Sequence, residues 1–101
     1  MAIGSDACVS GNTNVVPELV VSHYRAYRTG DLNLARELQA LLDATHQAMG
    51  SGGDLSLFKA MLAKRGLAVG CVRKPLVQAN PAAIEQCWEK LVALGISIDP
   101  L

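Results

Sequence analysis

The sequence has little charge, few aromatic residues and no excess of one charge sign. Only 18% of its residues are charged, against about 25% in typical soluble domains, and nine basic residues are balanced by nine acidic ones. Binding to nucleic acid depends on a basic surface that displaces counterions from phosphates. We therefore expect no nucleic-acid partner, and helices alone in a neutral chain are poor grounds for a DNA-binding helix-turn-helix.

The chain also has no signal-peptide core and no apolar run long enough to span a bilayer. We therefore expect no membrane partner and a cytoplasmic location. The three cysteines, Cys8, Cys71 and Cys87, are odd in number and lack the C-x-x-C spacing of zinc or redox sites. This pattern predicts buried free thiols in a reducing compartment.

Residues suited to metal binding or nucleophilic catalysis are sparse. His23 and His46 are the only histidines, and Asp43 lies one helical turn before His46. Two ligands do not make a metal site, and neither histidine has a sequence pattern that pairs it with a nucleophile. The sequence therefore predicts no metal, no cofactor and no catalytic triad.

Four lysines are the remaining candidates for nucleophilic amines, since a desolvated lysine can form a Schiff base with a carbonyl substrate. They are Lys59, Lys64, Lys74 and Lys90. Lys59, Lys64 and Lys90 lie on the polar faces of predicted amphipathic helices, and Lys74 follows Arg73 in a predicted loop. None has a context that predicts burial, so no catalytic residue is assigned.

With 101 residues, half of them hydrophobic, the chain can build one small core but has few polar residues to cover it. Some of its apolar faces are therefore expected to pack against a partner or against a missing part of the same protein.

The hydrophobic pattern predicts a mainly α chain with one short strand followed by four helices. Residues 7–10 read as a buried strand, and residues 17–29 as a first helix that begins with Pro17 and Glu18. A second helix follows the N-cap Asp31 and ends near Met49. Asp54 caps a third helix that ends at Gly66, and Asn80 caps a fourth that begins at Pro81 and ends before Gly95. Residues 67–79 lack a helical period and predict an ordered crossing loop.

The predicted core positions form one apolar stripe on each helix. The stripe residues are Val16, Leu19, Val20, Tyr24 and Tyr27; Leu34, Ala35, Leu38, Leu41, Leu42 and Ala48; Leu55, Phe58, Met61 and Leu62; and Ile84, Cys87, Trp88, Leu91 and Val92.

Four segments in order, GSDACVSGNTNVVPEL, GDLNLARELQALL, FKAMLAKRGL and VRKPL, resemble the carboxy-terminal third of one enzyme family. It is the dihydrodipicolinate synthase and N-acetylneuraminate lyase family of pyruvate-dependent class I aldolases. The resemblance implies a (β/α)8 barrel with an appended helical domain, in which a lysine forms a Schiff base with a 2-oxo acid such as pyruvate. Residues 1–29 would then be the last strand and helix of the barrel, and residues 30–101 the appended three-helix domain.

Chemistry in such barrels takes place at the carboxyl ends of the strands. The resemblance therefore implies that Ser10 and Gly11 lie at the edge of the substrate pocket, which they would shape without performing the reaction. Tyr24 and Tyr27 would lie on the last barrel helix, outside the pocket. Ala7 stands where the family usually has glycine, and Asn12 and Thr13 are a local variant.

The Schiff-base lysine, the catalytic tyrosine and the paired hydroxyl residues of the family would all belong to the first two thirds, which these 101 residues do not include. Met1 would fall inside the family's approach to its last strand, which a truncated reading frame, a gene remnant or a start assigned too late would each explain. The sequence thus predicts a lyase fragment that is inactive alone. The alternatives are a helical interaction or oligomerisation module, and one half of a split enzyme.

Overall fold

The computed structural model describes residues 1–96 and 98–100, and the described chain is built from α-helices joined by turns and loops. In chain order they are α1 (Asn12–Val15), α2 (Pro17–Arg28), α3 (Leu32–Ala48), α4 (Leu55–Lys64) and α5 (Pro81–Ala93). The four longer helices confirm the predicted ones, with boundaries that differ from the predicted boundaries by about one residue.

The predicted strand over residues 7–10 is wrong, and the described residues contain no strand. Residues 7–9 are exposed, and the Val9 side chain has no protein neighbours that cover it. A strand needs a hydrogen-bonded neighbour because a single extended segment leaves its backbone groups unpaired. Residues 1–96 and 98–100 offer residues 7–10 no second strand, so the hydrophobic run alone did not produce one.

The short helix α1 was not predicted from the sequence. It ends at Val15 because the next residue, Val16, has the non-helical angles φ −127° and ψ 59°. Val16 precedes Pro17, and the proline ring disfavours a helical conformation in the residue before it. Pro17 then occupies the first turn of α2, where its missing N–H is not needed. Residues 12–28 therefore form two helices, with the break between them at Val16.

The turns between the longer helices have the geometry that their sequences predict. Gly30 follows α2 with a φ of +83°, in the left-handed region that favours glycine. Asp31 then accepts a hydrogen bond from the Leu34 amide at 3.1 Å and caps α3. Asn80 caps α5 in the same way, through the Ala83 amide at 2.8 Å.

Residues 67–79 form the expected crossing loop without helix, and hydrogen bonds fix its two ends. The Leu67 amide donates to the Leu62 carbonyl at 2.9 Å. At the other end the Ala79 amide donates to the Ser56 hydroxyl at 2.8 Å. The Ser56 hydroxyl in turn contacts the Asp54 carboxylate at 2.5 Å, so the cap of α4 also holds the entry to α5.

The core lies where α1 and α5 pack against α4, with α2 and α3 closing its sides. Its fully buried apolar side chains include Val15, Val16, Met49, Met61 and Leu91. Four residues assigned to the apolar stripes are instead exposed, namely Tyr24, Leu34, Leu55 and Val92. They lie at the edges of their stripes, beyond the part of each helix that another element covers.

The chain exposes more surface than a compact protein of its mass. Its accessible surface is 6566 Å², whereas a folded monomer of this size exposes about 5500 Å². The Cα radius of gyration is 14.3 Å, against about 13 Å for a typical 100-residue domain. The helices therefore enclose one small core and leave a substantial part of their apolar surface uncovered.

Candidate functional site

Ser10 and Gly11, the two residues assigned to a pocket edge, lie at the start of α1. The Ser10 carbonyl accepts a hydrogen bond from the Thr13 amide at 3.3 Å, and the Gly11 carbonyl accepts one from the Asn14 amide at 3.1 Å. Gly11 is exposed and Ser10 is half-buried. The position of this edge thus depends on a helix of only four residues, which is too short to be stable without tertiary contacts.

Two contacts hold the beginning of α1. Asn12 Oδ1 lies 3.3 Å from His46 Nδ1, which joins α1 to the last turn of α3. The Phe58 ring of α4 lies beside Gly11, where a Cβ atom would stand 3.8 Å from the nearest ring carbon. The amide–imidazole pair and the aromatic ring together set where Gly11 sits.

Arg65 holds the other end of α1, and its side chain is 1% exposed. Its Nη1 donates to the Val15 carbonyl at 2.6 Å and to Glu18 Oε2 at 3.0 Å. Its Nη2 donates to Glu18 Oε1 at 2.5 Å, and its Nε to the Asp99 carbonyl at 2.8 Å. One guanidinium therefore joins α4, the α1–α2 junction and the segment after α5.

The Arg65–Glu18 pair has the two parallel hydrogen bonds that give arginine and carboxylate their geometric specificity. The hydrogen bond from Arg65 lowers the pKa of Glu18 below its ordinary value of 4.5, against a smaller opposing effect of burial. No prediction from the sequence concerned Arg65. Nothing in the local sequence distinguishes a buried arginine from an exposed one at the end of an amphipathic helix.

An apolar cleft of about 610 Å³ lies between α2 and the amino-terminal segment, on the same side of the chain as residues 7–9. Its lining residues are Met1, Ala2, Ala7, Cys8, Thr13, Val20, Val21, His23, Tyr24, Tyr27 and Gln39. Tyr24 is 40% exposed although it was assigned to the apolar stripe of its helix. The cleft is therefore an uncovered part of that stripe.

The remaining candidate ligands do not come together. Asp43 accepts a hydrogen bond from Gln39 at 2.9 Å, and His46 contacts Asn12. His23 lines the apolar cleft. Across residues 1–96 and 98–100, no three histidine, cysteine, aspartate or glutamate side chains are grouped so that they could hold a metal ion.

The four lysines lie outside the apolar cleft, and two of them have partners at the protein surface. Lys59 Nζ donates to the Cys71 carbonyl at 3.0 Å. Lys64 forms an ion pair with Glu85 and lies 5.9 Å from the centre of the Trp88 ring. Lys74 and Lys90 are exposed. None has the enclosed apolar surroundings that activate an amine for Schiff-base chemistry.

The expectation that all three thiols are buried is correct only for Cys87. Cys87 is 2% exposed, whereas Cys8 and Cys71 are exposed. All three are free, and burial raises the pKa of the Cys87 thiol. Cys8 and Cys71 lie in segments outside the helices, where the helical periodicity that correctly predicted Cys87 gives no information.

Ser10 and Gly11 offer a hydroxyl group and an open stretch of backbone, which can donate and accept hydrogen bonds but cannot form a Schiff base. The two residues lie at the start of α1, in a helical unit that leaves part of its apolar surface uncovered. No helix in the described part of the chain is long and apolar enough to cross a membrane.

Comparison with known proteins identifies the group to which this helical unit belongs. The dihydrodipicolinate synthetase family profile matches residues 1–93. A 4-hydroxy-tetrahydrodipicolinate synthase of Methanopyrus kandleri is 33% identical over 96 residues, which are 95% of this chain and 32% of that protein. The enzyme of the same name from Hyphomonas neptunium is 35% identical over 94% of this chain and 32% of its own length.

An uncharacterised DapA-like lyase of Halobacterium salinarum is 39% identical over 73% of this chain and 24% of its own length. No solved structure matches the chain significantly. The proteins that this chain resembles are thus lyases and synthases related to dihydrodipicolinate synthesis. The chain belongs to the dihydrodipicolinate synthetase family, and it spans about a third of the length of the curated relatives that it matches.

Proposed function

We propose that this chain supplies the carboxy-terminal part of a dihydrodipicolinate synthase-like lyase, with Ser10 and Gly11 at the edge of the pocket for a 2-oxo acid such as pyruvate. The observation that carries the proposal is the family match over residues 1–93. Residues 1–29 would be the end of the barrel and residues 30–101 the appended domain. The enzyme would act in the cytoplasm, as expected for biosynthesis of a small metabolite.

The reaction of such a lyase requires an amine that this chain does not present in a suitable site. A lysine amine attacks the keto carbon of the 2-oxo acid, and water leaves to give an iminium. Loss of a proton from the neighbouring carbon converts the iminium into an enamine, whose electron pair forms the new carbon–carbon bond. In the direction of cleavage, the iminium accepts the electron pair of the bond that breaks. Because the four lysines of this chain lie at its surface, we propose that the Schiff-base lysine belongs to the other two thirds of the enzyme. This chain alone would then be inactive.

The surplus surface supports the view that a further polypeptide covers this chain. The 6566 Å² that it exposes exceeds the expectation for a compact monomer by about 1000 Å². A stable protein interface covers about 800 Å² on each partner. The cleft beside α2 and the exposed residues 7–9 lie together on one side, which is where the remaining part of the enzyme would pack.

Reductive trapping tests the catalytic part of the proposal. Borohydride adds hydride to the iminium and converts a transient Schiff base into a stable secondary amine. We expect no mass adduct when the purified chain is incubated with pyruvate and borohydride. A stoichiometric adduct on Lys59, Lys64, Lys74 or Lys90 would contradict the proposal. A family lyase with an intact barrel, treated in parallel, should be fully trapped and serves as the positive control.

Complementation tests the structural part. The chain is co-expressed with the preceding two thirds of a family lyase, and copurification and lyase activity are measured. Restored activity is the expected result, and failure of the two polypeptides to copurify would count against the proposal. The double variant Val21→Lys/Tyr24→Lys, which places charge in the apolar cleft, should abolish copurification, whereas Leu34→Lys on the exposed face of α3 should not.

A second candidate function is a non-enzymatic helical module that associates with itself. The same exposed apolar side chains favour it, among them Val21, Leu32, Leu55 and Val92. Light scattering distinguishes the two. A stable dimer at twice the monomer mass of 10.7 kDa supports the module, whereas polydisperse aggregation that the companion polypeptide suppresses supports the lyase fragment.

A further inference from the structure

The buried guanidinium of Arg65 lies at the junction on which the proposed pocket edge depends. Val15, whose carbonyl it binds, is the last residue of α1, and Glu18 lies in the first turn of α2. The carbonyl groups in the last turn of a helix have no partner within that helix. Arg65 supplies a partner for Val15 and at the same time fixes the beginning of α2.

The contacts of α1 are distributed so that each end has its own support. His46 and Phe58 hold the beginning, at Asn12 and Gly11. Arg65 is the charged group at the other end, and its side chain has only 1% of its surface exposed. Burying a charged group costs free energy unless its hydrogen bonds are satisfied, and the Arg65 guanidinium donates to Val15, Glu18 and Asp99.

We infer that Arg65 is a positioning residue for the pocket edge: by binding Val15 and Glu18 together, it fixes the orientation of α1 and thereby the places of Ser10 and Gly11. This inference rests on the proposed function, which assigns Ser10 and Gly11 to the pocket. Arg65 lies behind α1 and makes its contacts through Val15, so it acts on the edge indirectly.

The geometry explains why lysine cannot replace arginine here. The guanidinium reaches the Val15 carbonyl, both oxygens of Glu18 and the Asp99 carbonyl from one planar group. An ammonium group is a compact point charge without this fork. Arg65→Lys therefore keeps the charge and loses the simultaneous contact with α1 and α2.

Amide hydrogen exchange of the full chain tests the inference without substrate. The informative amides are those of Asn14 and Val16, which donate to the Gly11 and Asn12 carbonyls. In Arg65→Lys we expect their protection to fall about tenfold or more relative to the protection of α5, because charge-assisted hydrogen bonds are the strong ones in proteins. Leu91→Ala is the matched control, since it weakens the core from α5 and removes none of the hydrogen bonds that Arg65 makes.

The outcomes separate positioning from general stabilisation. Protection lost selectively in α1 supports the inference, whereas protection lost equally in all helices, as expected for Leu91→Ala, overturns it. If Arg65→Lys does not fold, Glu18→Gln provides the same test, because its side chain is 45% exposed and keeps one oxygen as an acceptor. No change at Asn14 and Val16 in Glu18→Gln would then overturn the inference.

A kinetic measurement in the complemented lyase completes the test. Arg65→Lys should raise KM for pyruvate by a larger factor than it lowers kcat, because the edge contributes to binding. Equal KM in variant and wild type would overturn the inference. A complemented wild type without any lyase activity would instead refute the proposed function, while the exchange result on α1 would stand.

Discussion

The Ser56 hydroxyl accepts a hydrogen bond from the Ala79 amide at 2.8 Å, and Ser56 is 1% exposed. The residues are 23 positions apart, so this one contact closes the crossing loop between α4 and α5. The same hydroxyl contacts the Asp54 carboxylate that caps α4. The loop is therefore held by a buried polar side chain in the first turn of a helix.

Replacing this hydroxyl should be costly. Ser56→Ala leaves the Ala79 amide without its partner, and an unsatisfied buried donor costs about 1–3 kcal/mol. We expect the free energy of unfolding in urea to fall by that amount. Ser22→Ala, on the exposed face of α2, should change it by less than about 0.5 kcal/mol. Equal effects of the two substitutions would show that the hydroxyl does not hold the loop.

The Arg65–Glu18 pair should make stability depend on pH at the acidic end. The folded state lowers the pKa of Glu18 below its ordinary value of 4.5, so the pair stabilises the fold fully above that value. The stabilisation is lost as the pH falls through the lowered pKa, where the carboxylate is protonated. Urea unfolding of wild type and Glu18→Gln between pH 7 and pH 3 measures this effect.

We expect the stability difference between wild type and Glu18→Gln to be constant near neutral pH and to shrink as the solution becomes strongly acidic. Glu37→Gln, on the exposed part of α3, removes one carboxylate without removing a partner of Arg65 and corrects for the change in net charge. A stability difference between wild type and Glu18→Gln that grows as the pH falls would contradict a stabilising Arg65–Glu18 pair.

Thiol labelling should separate the cysteines by accessibility. Cys8 and Cys71 are exposed, and Cys87 is buried with a raised pKa. Because the thiolate is the reactive form, an uncharged thiol reagent at pH 8 should modify two cysteines quickly and the third only as the chain unfolds. In denaturant all three should react at similar rates. Rapid labelling of Cys87 in the folded chain would place that side chain outside the core.

Adjacent residues of α5 offer a matched test of the core. Leu91 is fully buried, whereas Val92 is 52% exposed. Leu91→Ala should destabilise the chain by about 2–5 kcal/mol through lost burial and the remaining cavity. Val92→Ala removes side-chain atoms from a largely solvated position and should cost less than about 0.5 kcal/mol. Thermal unfolding followed by circular dichroism measures both, and similar losses would indicate a different packing of α5.

The helices were predictable because their signals are local. Asp31, Asp54 and Asn80 were assigned as N-caps from the residues that follow them, and each accepts the expected backbone hydrogen bond. The strand predicted over residues 7–10 was wrong for the opposite reason. Strand formation depends on a partner strand that can be distant in sequence, and a run of small apolar residues carries no information about whether that partner exists.

The contacts around the candidate site were beyond sequence reasoning. Ser10 and Gly11 came from a family resemblance, whereas the groups that hold them, His46, Phe58 and Arg65, lie between 35 and 55 positions away along the chain. Arg65 and Glu18 each resemble ordinary surface residues of amphipathic helices. Their pairing becomes visible only when α4 is packed across the junction of α1 and α2.

The hydrogen bond from Arg65 Nε to the Asp99 carbonyl has a practical consequence for anyone who expresses this protein. A shortened version that ends after α5, at Ala93, would remove an acceptor from a guanidinium that has almost no access to water. Because the same guanidinium binds the Val15 carbonyl, this loss would also disturb α1. The final residues should therefore be kept in every shortened version.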